Sequence, residues 1–266
     1  MKNDFRFGKA LKALRSALNL SQLALANRLG STQRHVSFLE TGRSRPSPAF
    51  LQRLCAELNL SAAQRGALFE ASDHRTPYPR RTLSSDEVTD TLNMITCRIL
   101  DNWPFPGFIL NPEWTVLRMN APARVMFSNL GVDPDNESPN LLQLLLSPQF
   151  RARILNWGEA SQGLYFRMLE KAERVPEIRQ AFDQARREGV FDHIPQMITG
   201  NHPAPIYVPL RLSVPGGPTL EMTSFVGQLA TVQDAIIEGL EVELMVPLDD
   251  ATDAQIRAKG QGSKLF

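Results

Sequence analysis

The chain has 266 residues, 42% of them hydrophobic and 21% charged, with a net charge of +1; this is ordinary for a globular protein of about two domains. Its two cysteines, Cys55 and Cys97, exclude a disulfide framework or a CxxC metal pair, and no apolar run reaches the ~20 residues of a membrane span. The charge is divided: residues 1–81 carry +9 and residues 82–266 carry −8, which suits a polyanion-binding module joined to one that does not bind polyanions.

Five short helices are predicted in the first 73 residues. The first spans about Phe5 to Ala17, with Phe7, Leu11, Leu14 and Leu18 on one stripe. The second starts behind a Ser21 cap, carries Leu23, Ala26 and Leu29, and ends at Gly30. The third runs from about Thr32 to Thr41, turns Val36 and Leu39 inward and stops at Gly42. Pro46 and Pro48 set the entry to a fourth, with Leu51, Leu54, Cys55 and Leu58. Ser61 caps a fifth, with Leu68 and Phe69. None is long enough to stand alone, so they must pack as one bundle. The opening residues, MKNDFRFGKALKAL, lack a signal-peptide apolar region, and a reducing cytoplasm is the expected compartment.

His74 to Leu83 reads as a linker, with Pro77 and Pro79 favouring extended backbone. Ser84 and Glu87 have capping-box spacing. The helix they would start, Glu87 to Leu100, shows Val88, Leu92, Ile95 and Ile99 on one stripe, which serves either a dimer or coupling contact or packing on its own sheet. Phe108 to Leu110, a turn at Asn111-Pro112-Glu113 and Trp114 to Met119 form a predicted hairpin. Asn120 caps a helix with Val125, Met126 and Phe127. A polar loop, Gly131 to Asn140, precedes helices over Leu141–Leu146, Pro148–Ala172 and Pro176–Glu188. Strands are predicted at Ile206–Val214, Leu220–Leu229 and Leu240–Val246, with Gly216-Gly217 and Gly239 in the turns. The residues after Pro247 are polar and expected to fray.

The expected boundaries are therefore a helical domain at 1–75, a linker at 76–85, an α+β domain at 86–247 and a tail at 248–266. The second domain has the order hairpin, helices, three strands. This implies helices over one face of a five-stranded antiparallel sheet, a PAS-like shape.

Chemistry concentrates in the second and third helices. Two short helices around a glycine turn, followed by a basic loop, can set one helix into a DNA major groove while the other braces it. Gln33, Arg34 and Ser37 lie on the outward face of that third helix; glutamine pairs with adenine and arginine with guanine at their major-groove edges. Gln22, Arg43 and Arg45 suit phosphates. Leu23, Ala24, Leu29, Val36 and Leu39 are the packing set. His35 is read as packing over a helix or touching a phosphate.

Between Leu11 and Leu60, Ser21-Gln22, Leu23-Ala24, Gly30, Thr32-Gln33, Leu39-Glu40 and Gly42 resemble the phage-repressor-like (Xre-type) helix-turn-helix. The resemblance implies a structural ion pair between Arg15 and Glu40. Phe38 departs from it, since phage repressors carry a polar residue there; it fits a thymine methyl or a packing or dimer contact.

Pro106-Gly107-Phe108-Ile109-Leu110, then Trp114-x-Val116-Leu117-x-x-Asn120-x-x-Ala123, looks like the ligand-binding domain of MmyB-like transcription regulators, over roughly Asp86 to Pro247. That resemblance implies an apolar pocket for a fatty-acid-like ligand. From the residues, Phe108, Met126, Phe127, Trp157, Tyr165, Phe166 and Phe225 are candidate lining, since Met and aromatic side chains line adaptable cavities and also fill cores. Arg151, Arg153, Arg167 and Arg211 are candidate partners for a carboxylate head group. No GxGxxG, GxSxG or HExxH occurs, and His193 and His202, both near predicted loops, argue against a haem site. The expectation is a non-enzymatic DNA-binding regulator without cofactor. Its expected partners are a double-stranded operator, a small apolar ligand and a second copy of itself, with no membrane. The alternative is a constitutive repressor or antitoxin-like protein whose second domain binds protein and no ligand.

Overall fold

The computed structural model describes residues 4–76, 81–133, 138–194, 206–214, 217–230, 232 and 234–261. The readings placed on Pro77, Pro79, His202, Gly216 and the middle of the polar loop at 134–137 lie outside the described residues. The chain forms two compact units, residues 1–88 with 229–238, and residues 89–228 with 239–266.

In the first unit, five helices follow the expected order: α1 Asp4–Ala17, α2 Gln22–Arg28, α3 Gln33–Glu40, α4 Pro48–Glu57 and α5 Ala62–Ala71. Their N-termini are held by hydroxyls. Ser21 accepts from Ala24 N, Thr32 from His35 N and Ser47 from Phe50 N, while Ser61 and Gln64 form a reciprocal capping box. Left-handed residues close the other ends: Gly30 and Gly42 after α2 and α3, and Asn19, Asn59 and Asp73 after α1, α4 and α5. At all five a backbone N–H returns to a carbonyl five residues back, as in Leu20 N to Arg15 O and Ser31 N to Ala26 O. The core joins Phe7 and Leu11 to Leu25, Ala26, Leu29, Val36, Leu39, Leu51, Leu54, Leu68 and Phe69. Leu23 does not belong to it. Its side chain is 53% exposed, because Leu25 takes the inward position of this short helix.

Residues 229–238 also belong to this unit. Within them a one-turn helix, α12 Ala235–Glu238, packs against α5. Glu238 Oε2 accepts from Ala62 N at 2.8 Å, placing a carboxylate on the unpaired amides of the α5 N-terminus. Arg81 Nη1 donates to Asp234 Oδ2 at 3.1 Å.

The second unit carries α6 Asp86–Arg98, most of which belongs to it, then β1 Gly107–Leu110, β2 Val116–Met119, α7 Ala121–Asn129, α8 Leu141–Leu146, α9 Pro148–Arg151, α10 Trp157–Ala172, α11 Pro176–Arg187, β3 Leu210–Leu212, β4 Leu220–Gly227, β5 Glu241–Pro247 and α13 Asp250–Gln261. The five strands form one antiparallel sheet in the order β2-β1-β5-β4-β3. The fold is thus a helical helix-turn-helix unit followed by an α+β unit, as the sequence implies. The main core of the second unit gathers Phe108, Leu110, Trp114, Val116, Phe127, Met168, Phe182, Leu212, Met222 and Met245.

Asn120 fixes the start of the sheet. Its Oδ1 accepts from Gly107 N and Ala123 N, and its Nδ2 donates to the carbonyls of Leu100, Trp103 and Phe105. One buried amide therefore caps α7 and gathers the chain that leads into β1.

Four expectations are corrected. The residues after Pro247 do not fray but form α13, whose start is capped by Asp249 Oδ1 accepting from Thr252 N at 2.7 Å and whose Ile256 is buried. The single helix expected over Pro148–Ala172 is two, α9 and α10, because Ile154 leaves the helix to bridge Leu212. Trp114 is not in β2; it sits in the turn with φ +61. Ser84 is not the residue that opens the helix: the helix starts at Asp86, one residue later than a Ser84 cap would place it, and the Ser84 hydroxyl meets Thr82 Oγ1. Of the stripe on α6, Val88, Leu92 and Ile95 are buried within the chain and Ile99 is exposed.

Candidate DNA-binding face and ligand cleft

Each residue of α3 takes its place from the burial of Val36 and Leu39. With those two inside, the 3.6-residue period turns Gln33 and Arg34 outward in the first turn, with Ser37 and Phe38 half-buried one turn on. The basic loop follows at once. Arg43 N and Ser44 N both donate to Phe38 O, at 2.8 and 3.2 Å, so the chain doubles back onto the end of α3. Arg43 and Arg45 are exposed beside it. His35 stacks edge-on against Phe50, with ring centroids 5.5 Å apart.

Behind this face Arg15 Nε donates to Glu40 Oε1 at 2.6 Å and Arg15 Nη2 to Glu40 Oε2 at 3.1 Å. Arg15 Nη1 also donates to Leu20 O. Burial pushes the Glu40 carboxyl up, but the hydrogen bonds from Arg15 and Gln22 and the charges of Arg15 and Lys12 outweigh it and hold the group below its ordinary value. Arg15 is raised by its hydrogen bond to Glu40. Gln22 stands differently from its reading as a phosphate ligand alone: its Nε2 donates to Glu40 Oε2 at 2.8 Å, leaving one amide hydrogen for a phosphate.

Gly8 lets these parts approach. A Cβ there would lie 2.4 Å from Glu40 O and 2.7 Å from Leu39 O, so α1 crosses the end of α3 in near backbone contact.

In the second unit a narrow apolar cleft of about 50 Å³ lies between α7, β3, β4 and α13. Met126, Leu130, Leu212, Leu220, Met222 and Ile256 line it, with Asn129, Arg153 and Gln255 as polar members. Of the seven candidate lining residues, Met126 alone is in this cleft. Phe108 and Phe127 are wholly buried core, 6.1 Å apart by ring centroid. Phe166 and Phe225 are exposed. Tyr165 packs on Phe182 and Phe191 beside an open hollow edged by Asp183, Arg186, Arg187 and Asp192, and Trp157 lies beneath Arg151. The sequence reading chose aromatics, whereas the cleft is built from aliphatic and Met side chains. Gln255 escaped notice because α13 had no apolar stripe to announce it.

The four arginines separate clearly. Arg167 pairs with Glu243 at 3.0 Å and Glu241 at 3.6 Å and stacks on Trp114. Arg211 faces Glu221, and Arg151 covers Trp157. Arg153 is the one at the cleft, with Nη1 donating to Asn129 O at 3.0 Å. Gln255 Oε1 is buried without a hydrogen-bond partner among the described residues.

One pair resembles catalytic machinery, Ser161 Oγ at 2.7 Å from His193 Nε2. The serine is fully buried and also reaches Gly158 O, so the pair ties α10 to the residues after α11.

Two family models match the chain. A helix-turn-helix family model matches residues 11–64, and the model of the MmyB-like transcription regulator ligand binding domain matches residues 93–258. The chain belongs to the MmyB-like transcription regulators. Such families regulate transcription and are not typically enzymes. A solved structure titled "Crystal Structure of ComR from Streptococcus suis" matches this regulator with 14% identity over 73% of this chain and 76% of that one, at a TM-score of 0.23. The comparison with curated proteins finds no match.

Proposed function

We propose that this regulator reads a two-fold operator through the first turn of α3. Gln33 and Arg34 are the principal base readers and Ser37 the third. Gln22, Arg43 and Arg45 hold phosphates, and Arg15 with Glu40 fixes α1 and α2 behind them. The observation that carries this reading is the orientation of α3: burial of Val36 and Leu39 leaves Gln33 and Arg34 exposed on a basic surface. One short helix reads few base pairs, so two copies on a two-fold site are the natural form. Gln33→Ala and Arg34→Ala should each cost about 1–3 kcal/mol on the selected operator and little on other duplexes. Equal loss on every sequence would remove them from the base-reading set.

We further infer that the second domain takes a small apolar ligand with a polar or acidic end, fatty-acid-like in character, at the cleft beside Met126 and Met222. Arg153 and the unpartnered Gln255 oxygen favour an amphipathic occupant. At about 50 Å³ the cleft is far below the roughly 300–1,000 Å³ of ordinary ligand sites, so an acyl chain must widen it. A ligand that binds the widened form alone shifts the balance between two arrangements, which is what control of DNA binding requires. The same small volume favours the alternative, a second domain that acts through protein contacts. Mass spectrometry of small molecules extracted from the purified full-length protein separates the two. A lipid that raises the melting temperature of the wild type, but not of Met222→Trp, supports the cleft. No extractable molecule and no response to fatty acids supports the protein-contact reading.

A further inference from the structure

Phe38 stands four residues after Arg34 on α3, one turn on along the same stripe. Side chains on a helix lean toward its N-terminus, which lays the ring over the turn that carries Arg34. The Arg34 guanidinium carbon lies 5.2 Å from the ring centroid. The Arg43 guanidinium carbon lies 6.0 Å from the same centroid, brought there by the two hydrogen bonds that fold the loop onto Phe38 O. Gly42, at φ +70, makes that reversal possible. A single half-buried ring is therefore shared by an arginine in the first turn of α3 and one in the loop that follows it.

An exposed arginine side chain loses much rotamer freedom when it docks on a base or a phosphate. A guanidinium already resting on an aromatic face has given up part of that freedom beforehand and keeps its planar fork available for bidentate hydrogen bonds. We propose that Phe38 is a positioning residue for operator specificity: it holds Arg34 in the orientation that reads a guanine, and Arg43 in the orientation that grips the adjacent backbone. The inference rests on the reading of Arg34 as a base reader.

The test uses the full-length protein. An operator is first selected from random duplexes with the wild type, and the guanine that Arg34→Ala ceases to discriminate is identified. Affinities are then measured for Phe38→Leu, Phe38→Tyr and the double variant Phe38→Leu/Arg34→Ala, on the selected site and on a site with that guanine replaced. Phe38→Leu should weaken the selected site roughly three- to tenfold, with a smaller loss on the replaced site. Phe38→Tyr, which keeps the ring, should restore wild-type discrimination. The double variant should be little weaker than Arg34→Ala alone on the selected site, since without Arg34 only the Arg43 contact remains for the ring to support. Circular dichroism melts establish that each variant is folded. Equal loss on both sites, a fully additive double variant, or failure of tyrosine to rescue would overturn the proposal while leaving DNA reading intact. A wild type that selects no sequence at all would instead remove the reading beneath it.

Discussion

Gly8→Ala is a sensitive perturbation of the bundle because two effects of opposite sign meet there. In an open helix the change gains up to about 1 kcal/mol, since glycine loses more backbone freedom on folding. At Gly8 the new methyl would lie 2.4 Å from Glu40 O and 2.7 Å from Leu39 O, about 1 Å inside ordinary contact. Both atoms are backbone, so no rotamer change relieves the overlap; α1 must lift from the end of α3. Overpacking of this kind costs about 1–3 kcal/mol, and a backbone clash belongs at the upper end. The net loss is then about 2 kcal/mol, or roughly 10 °C in the melting temperature of a unit this small. Gly66, within α5, has nothing within 4 Å of its missing Cβ. Gly66→Ala should therefore stabilise by ~0.5–1 kcal/mol. Calorimetry of the full chain carrying each substitution reads both signs. A Gly8→Ala protein melting at or above the wild type would refute the close approach of α1 to α3.

Glu40→Gln should destabilise by ~1.5–3 kcal/mol at neutral pH, since it removes charged hydrogen bonds from a largely buried site. Because the folded carboxyl lies below its ordinary value of 4.5, its contribution is full above that value and is lost as pH falls through the folded one. Urea titrations should thus show the gap between wild type and variant closing in acid and constant from pH 6 to 8. Asn120→Asp should cost more than Asn120→Ala, because a carboxylate would face three carbonyls that the amide now satisfies; thermal melts rank the two. Arg43→Ala should weaken all duplexes alike and reduce the slope of log affinity against log salt by about 1, read by anisotropy titrations across a salt series. Arg167→Met should destabilise the second unit by ~3–5 kcal/mol, since it leaves Glu241 and Glu243 buried with Lys171 alone; calorimetry reads that loss.

Much of the first unit was legible because its signals are local. Ser21 and Ser61 cap helices and Gly30 and Gly42 end them, as expected, and Thr32 and Ser47 prove to cap α3 and α4. Leu23 misled because Leu23 and Leu25 are two residues apart in a one-sided helix, and only the neighbours decide which turns inward. Asn19, Asn59 and Asp73 close helices in the left-handed region, a role weaker in sequence than glycine's. In the second unit, the hairpin and the strand pattern announced the sheet. The strand Glu241-Val242-Glu243-Leu244 did not announce its facing: both glutamates are buried, an orientation made tolerable by Arg167 and Lys171 some 70 residues away in sequence. The cleft was missed for the same reason. Its lining comes from α7, β3, β4 and α13, and nothing in residues so far apart marks them as neighbours, whereas aromatic residues stand out in any listing by size.

The most direct test is competitive DNA binding by the full-length protein at about 150 mM salt, using an operator obtained by selection from random duplexes. The proposed function calls for a preferred site with two half-sites about one helical turn apart, bound at least ~10³-fold more tightly than random competitor, with Gln33→Ala and Arg34→Ala collapsing that ratio. A wild-type protein that enriches no sequence and binds every duplex equally would contradict it.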